Sequence, residues 1–251
     1  MVSSKETPSK VPEVTLIFWL IKIAATTLGE TGGDAVSMSM NLGYLLSTGI
    51  FGAIFLVAVM IQIRAKRFHP LLYWTTIIAT TTVGTTLADF ADRSLGIGYA
   101  GGTSLLLALL AASLFIWHQS LGSISVATIT SSRVEVYYWV TIMFSQTLGT
   151  ALGDWTADSA GLGYGGSAMV FSTMLVFVCA CYYWTTISRT LLFWTAFILT
   201  RPLGAVVGDF LDKPLNNGGL ALSRYTASAV LLVFIVASIL IFSQRAAKRA
   251  H

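Results

Sequence analysis

The chain has 251 residues, of which 55% are hydrophobic and only 10% charged, and its mean hydropathy is +0.76. Soluble domains carry about 25% charged residues, so the composition belongs to a protein dissolved in lipid. Fifteen Lys and Arg against 11 Asp and Glu leave too little charge for a nucleic-acid surface, and two cysteines cannot build a secreted disulfide scaffold.

A bilayer core about 30 Å thick takes roughly 20 apolar residues per helix. Solid apolar runs predict eight transmembrane helices, at residues 14–33, 43–63, 71–88, 98–117, 136–153, 164–183, 191–208 and 220–242. A β-barrel would alternate in polarity instead. The expected fold class is therefore all-α, a polytopic membrane helix bundle. The first run lacks a small-residue cleavage site and reads as a retained helix, not a signal peptide.

Lys and Arg near span ends stay in the cytoplasm. If the helices alternate, Lys5, Lys10, Arg64, Lys66, Arg67, Arg133, Arg189, Arg245, Lys248 and Arg249 share one side. The other side has Arg93 and Lys213, with Arg201 and Arg224 at helix ends. The expectation is a multi-pass protein of the bacterial cytoplasmic (inner) membrane with both termini in the cytoplasm. Cys179 and Cys181 would then be free thiols in a reducing compartment, with core packing as their role.

Four copies of one pattern dominate the chain. Trp19, Trp74, Trp139 and Trp194 are each followed ten residues later by Gly29, Gly84, Gly149 or Gly204. Four further on stands Gly33, Ala88, Gly153 or Gly208, and directly after it Asp34, Asp89, Asp154 or Asp209. Nine residues beyond each Asp is another glycine: Gly43, Gly98, Gly163 or Gly218. The aspartates are 55, 65 and 55 residues apart, which reads as a duplicated pair of repeats. This divides the chain into an N-terminal half (1–118, repeats 1 and 2), a linker (119–132) and a C-terminal half (133–251, repeats 3 and 4). Two spans per repeat make all copies cross in the same sense, so their pseudo-symmetry axis runs along the membrane normal.

The pattern resembles an uncharacterised family of bacterial integral membrane proteins built from four tandem two-span repeats, each with a characteristic tryptophan. That resemblance implies an architecture of eight helices in four pseudo-equivalent hairpins and brings no activity with it.

Gly-x-x-x-Gly places two small residues on one helix face and allows close helix approach. The Asp that follows is carried toward that contact, so four carboxylates are expected to converge. Trp19, Trp74, Trp139 and Trp194 are expected at the headgroup level as interfacial anchors, with gating as the alternative. Glu30 lies one turn deeper than Asp34, and Asp158 one turn beyond Asp154. Ionisable groups at membrane depth line a pathway or pair with one another, and clustered carboxylates call for a cation.

Carboxylates with nearby Thr or Asn41 suit Mg, Ca or Mn, whereas Zn and Cu recruit His or Cys. His69, His118 and His251 are placed too far away to contribute. Glu30, Asp34 and Asp154 are the expected metal ligands, with Asp89, Asp158 and Asp209 completing the substrate site. Lys22 is expected to snorkel past Trp19 to the cytoplasm, and Arg201 to pair with an acid of another hairpin.

These residues suggest a transporter, specifically an exporter, of a hard divalent cation such as manganese. The cation would be substrate and not a tightly bound cofactor; the partners would be the lipid bilayer and the ion, with a homo-oligomer allowed and no nucleic acid. A carrier of a small organic solute or anion using Lys22 and Arg201 is the alternative. An intramembrane metal-dependent enzyme ranks lower, as does a sensory or structural protein.

Overall fold

The computed structural model describes residues 9–126, 129 and 131–247. Lys5, Lys248, Arg249 and His251 lie outside the described residues. Eight helices follow one another: α1 (Leu16–Asp34), α2 (Gly43–Arg64), α3 (Pro70–Asp89), α4 (Gly98–Leu121), α5 (Ser132–Asp154), α6 (Gly163–Trp184), α7 (Arg189–Asp212) and α8 (Arg224–Ile241). Local chemistry sets several starts. The side chains of Thr15, Ser131 and Ser188 accept the backbone N–H groups of Phe18, Val134 and Leu191. Pro70 opens α3, where its missing N–H is not needed. Four boundaries differ from expectation by four residues: 220–223 lie outside α8, α7 continues to Asp212, and α4 continues to Leu121 while α5 starts at Ser132, both in the stretch read as linker.

The chain is an all-α, multi-pass membrane protein. Five helices, α2, α4, α6, α7 and α8, are long and apolar enough to cross a membrane. The remaining α1, α3 and α5 have 19, 20 and 23 residues, about 28–35 Å at 1.5 Å per residue, but carry threonines and acids on their buried faces.

The odd-numbered helices close into a ring, α1 against α3, α3 against α5, α5 against α7 and α7 against α1. Each even-numbered helix packs outside the ring on the helix that follows: α2 on α3, α4 on α5, α6 on α7, and α8 back on α1. The repeats are therefore not self-contained hairpins. The second helix of each covers the first helix of the next, which ties the four copies together. The outer helices turn residues such as Leu45, Leu56, Val176, Phe177, Val233 and Leu240 outward, all more than half exposed, as a lipid-facing surface requires.

The repeated glycines close the ring. A Cβ on Gly29 would run into Thr81, on Gly84 into Gln146, on Gly149 into Arg201 and on Gly204 into Thr26. Each glycine thus receives the residue three positions before the equivalent glycine of the neighbouring helix, four times around. Gly33 meets Thr85 just as Gly29 meets Thr81, so these inner helices run parallel.

Beyond the repeated Asp, the first three inner helices widen into π turns at Ala35–Ser39, Phe90–Ser94 and Trp155–Ser159. In the fourth copy Lys213 and Pro214 end the helix and a 3-10 turn, Leu215–Asn217, follows, because proline has no N–H to continue it. The glycine nine residues after each Asp has φ of +74, +73, +64 and +82° at Gly43, Gly98, Gly163 and Gly218. That left-handed backbone explains why this position is glycine in all four copies.

The opposite end, called here the terminal face, is closed by chain segments. Pro12 pairs with Ala246 in an isolated antiparallel bridge, and Ala247 N–H donates to the Val11 carbonyl at 2.9 Å. Lys10, one of the cations that the sequence places on the cytoplasmic side, is buried, ion-paired with Glu135, and donates to the Ile63 carbonyl at 2.9 Å.

Candidate functional site

Steps of four residues return to nearly the same face of a helix. On the inward faces of the ring they produce five layers of four repeat-related side chains. From the terminal face these are Phe18, Tyr73, Tyr138 and Phe193; then Lys22, Ile77, Ile142 and Phe197; then Thr26, Thr81, Gln146 and Arg201; then Glu30, Thr85, Thr150 and Ala205; finally Asp34, Asp89, Asp154 and Asp209. All twenty are buried. The axis is therefore a filled column, aromatic at one end and acidic at the other.

In the acidic layer, two cations bridge four carboxylates. Lys213 Nζ lies 2.5 Å from Asp34 Oδ2 and 2.9 Å from Asp209 Oδ1. Arg93 Nε lies 2.9 Å from Asp89 Oδ1, and its Nη2 lies 3.3 Å from Asp154 Oδ2. The two arrangements correspond, because Arg93 and Lys213 each stand four residues after a repeated Asp and are 120 residues apart, like Asp34 and Asp154. The ring of acids is thus two ion triads related by a pseudo-twofold axis. Burial works against the Lys213 charge, but Asp209, Asp34 and Asp212 outweigh it and hold the ammonium above the ordinary lysine value. With every acid ionised, four carboxylates against two bridging cations leave an excess of two negative charges. Arg224 Nε binds Asp212 at 3.0 Å and its Nη2 approaches Asp34 at 3.7 Å.

Two layers deeper, Arg201 lies across the axis. Its Nη1 and Nη2 donate to Glu30 Oε2, both at 3.1 Å. Nη2 also donates to Thr85 Oγ1 at 2.5 Å and to Thr150 Oγ1. A side chain of α7 that reaches α1, α3 and α5 together can only be central. Arg201 therefore plugs the column, paired with an acid from another repeat.

Above the acidic layer, a cavity of about 500 Å³ opens outward, lined by Met38, Arg93, Asp158, Tyr164, Lys213 and Asn217 among others. Met38, Arg93, Asp158 and Lys213 hold the same repeat position, one turn beyond the aspartates. This vestibule has Arg93 and Lys213 at its floor. Asp158 is exposed at its mouth, where Tyr99 Oη donates to it at 3.3 Å.

Three expectations from sequence are corrected by the structure. Trp74, Trp139 and Trp194 are 1–2% exposed, inside the bundle and not on its outer surface. They join an aromatic cluster with Phe18, Tyr73, Trp117, Tyr138 and Phe193 that seals the terminal end of the column; Trp19 is partly buried at its edge. Spacing fixes position along the helix, whereas the rotation of each helix turns the indoles inward. Lys22 does not snorkel: it is wholly buried, with Nζ 4.2 Å from the Phe197 ring centroid and 3.5 Å from Thr200 Oγ1. The expected ligand trio of Glu30, Asp34 and Asp154 is also revised. Among the described residues, the acids that offer oxygens within 4.8 Å of one another are Glu30, Asp34 and Asp209. The ring order decides this, since α7 flanks α1 whereas α5 stands diagonally across.

Sequence reasoning missed Arg93 and Lys213 as site residues. Their shared position after the repeated Asp, in the second copy of each half, was the signal that could have found them. Cys181 is buried in the α6–α7 packing, and Cys179 is exposed on a crevice of about 480 Å³ between α1, α6 and α7; both are free thiols.

Fold and site together define a multi-pass helical membrane protein of four parallel repeats around an acid-capped axis. The chain belongs to the family described as Repeat of Unknown Function (DUF347), whose model matches four times, at residues 17–68, 72–122, 137–188 and 192–246. Each match covers one inner helix and the outer helix after it. No curated protein and no solved structure was found to match the chain.

Proposed function

We propose that this protein is a secondary transporter of a hard divalent cation, with manganese the substrate its donors suit, working as an exporter in the bacterial inner membrane with both termini in the cytoplasm. The observation that carries this reading is the acidic layer itself. Four repeat-related carboxylates are buried together beneath Arg93 and Lys213, which form the floor of an open vestibule, and Asp34 Oδ1 is buried with no hydrogen-bond partner. All-oxygen donors select Mg, Ca or Mn over softer metals. The sequence has no nucleotide-binding motif, so an ion gradient or the membrane potential would drive transport. The pseudo-twofold halves could rock against each other to expose the layer alternately.

On this reading the ion is substrate, and the protein is not an enzyme. The solute or anion alternative is weakened because Arg201 is already engaged by Glu30, and Lys22 sits in the layer of Ile77, Ile142 and Phe197, away from the vestibule.

The test is manganese flux in proteoliposomes. Asp34→Asn and Asp209→Asn are each expected to lower the initial rate by at least about tenfold, as loss of a charged ligand from a three-carboxylate set would. Flux equal to the parent protein in both variants removes the carboxylate layer from transport.

A further inference from the structure

Glu30 belongs to two constellations at once. It is the sole acid hydrogen-bonded to Arg201 among the described residues, and it is also one corner of the Glu30, Asp34 and Asp209 triangle. We propose that a divalent cation binds in this triangle at the α1–α7 seam and takes Glu30 away from Arg201, so that ion binding and release of the axial plug are one event. The proposal rests on the transport reading above and names its ligands and its gate.

Geometry supports the ligand set. Oxygens within 4.8 Å of one another can share one ion, since metal–oxygen distances are about 2.0–2.6 Å for Mg and Ca. The three residues are 3%, 0% and 2% exposed, so their carboxylates are shielded from bulk water. Asp34 Oδ1 is an independent sign: it is buried without a partner, although Oδ2 of the same carboxylate is engaged by Lys213.

Charge balance points to a dication. The three carboxylates are countered chiefly by two monovalent side chains, Arg201 on Glu30 and Lys213 on Asp34 and Asp209; Arg224 also approaches Asp34 at 3.7 Å but is held at 3.0 Å by Asp212, which balances its charge. One divalent ion can replace both with no change in the net charge facing the carboxylates; a monovalent ion cannot. The released guanidinium would keep only the neutral hydroxyls of Thr85 and Thr150, too weak to fix it across the axis.

The site is one-sided. The pseudo-twofold mate of Glu30 is Thr150, so the opposite seam has Asp154 and Asp89 with Arg93 but no third acid. Arg201 is likewise matched by Thr26, Thr81 and Gln146 in the other repeats. Plug and third ligand each occur once, on adjoining helices.

The experiment is a Mn²⁺ titration of the full-length protein in detergent micelles, read by the electron paramagnetic resonance signal of free Mn²⁺. One ion per chain is expected. Glu30→Gln should weaken binding at least about tenfold by loss of a ligand, and Arg201→Gln should tighten it at least about tenfold by removing a competing positive charge. Because either single change unbalances a buried pair, the double variant Glu30→Gln with Arg201→Gln provides a neutral comparison and should bind as weakly as Glu30→Gln. Asp154→Asn should stay within about threefold of the parent, being outside the ligand set. Loss of binding in Asp154→Asn with none in Glu30→Gln overturns the seam site and leaves the transport reading standing. An Arg201→Gln protein that binds no more tightly than the parent overturns the coupling to the plug. Failure of the parent protein to bind Mn²⁺ at all, together with no flux in proteoliposomes, overturns the transport reading and this inference with it.

Discussion

Arg201 holds its place because a planar, permanently charged fork can address several acceptors in fixed directions. Glu30, Thr85 and Thr150 come from three helices and lie in the layer next to it. A lysine there would offer a point charge and could not span them. Asp92 shows the opposite situation. Its repeat mate Asp212 is bound by Arg224 at 3.0 Å, but Asp92 is buried against Gly102 and neither carboxylate oxygen has a hydrogen-bond partner. Burial raises its pKa from 3.8 to about 6, with neighbouring Arg93 pulling the other way. A raised carboxyl value means that the folded state favours the protonated form. This contribution to stability is complete below pH 3.8 and is lost as pH rises through about 6. Asp92→Asn should therefore be more stable than the parent at pH 7.5, by about 1–2 kcal/mol after allowing for screening by water, and no more stable at pH 4. Melting temperatures in detergent at the two pH values check this; an equal difference at both would show that ionisation of Asp92 is not the cause.

At the scale of elements, periodicity made the eight helices legible, and the repeated Gly and Asp marked the faces that meet. Which helices meet was not legible. A two-span repeat reads as a hairpin, yet α2 packs on α3 and α8 on α1, because the glycine contacts join each repeat to its neighbour. The tryptophans were misplaced for a related reason: sequence spacing gives depth, whereas burial depends on rotation, which only the ring contacts fix. Two glycines separate packing from propensity. A Cβ on Gly84 would lie 3.0 Å from the backbone of Gln146 and Thr147, and nothing on that side can move aside cheaply. Gly49, on the outward face of α2, has nothing within 4 Å. Gly84→Ala is expected to cost about 1–3 kcal/mol through overpacking, and Gly49→Ala to stabilise by about 0.5–1 kcal/mol through helix propensity. Thermal unfolding of the two variants distinguishes these signs; a neutral Gly84→Ala would mean that α3 and α5 are not held in close contact.

Across the whole molecule, the fourfold repeat carries a twofold distribution of charge. The four aspartates were legible because they recur in every copy, and Glu30 and Arg201, present once each, because they are charges within spans; Arg93 and Lys213, in alternate copies beyond the repeated Asp, were missed. The scaffold is thus most symmetric where it packs and least symmetric where the proposed ion would bind. Arg93→Gln and Lys213→Gln turn that difference into a measurement. Each removes one bridging cation from its ion triad. Loss of the buried Lys213 should cost about 3–5 kcal/mol, as for breaking a buried ion pair, whereas Arg93 is exposed and its loss should cost less. Their effects on the cation should differ. Lys213 contacts Asp34 and Asp209 directly, so removing it frees two proposed ligands and should tighten Mn²⁺ binding by at least about tenfold. Arg93 acts on Asp89 and Asp154, neither of them in the triangle, and its loss should change affinity by no more than about threefold. Equal melting temperatures would show that exposure does not weaken the Arg93 triad relative to that of Lys213. Equal gains in Mn²⁺ affinity would move the ion from the α1–α7 seam to the centre of the ring, shared by all four aspartates.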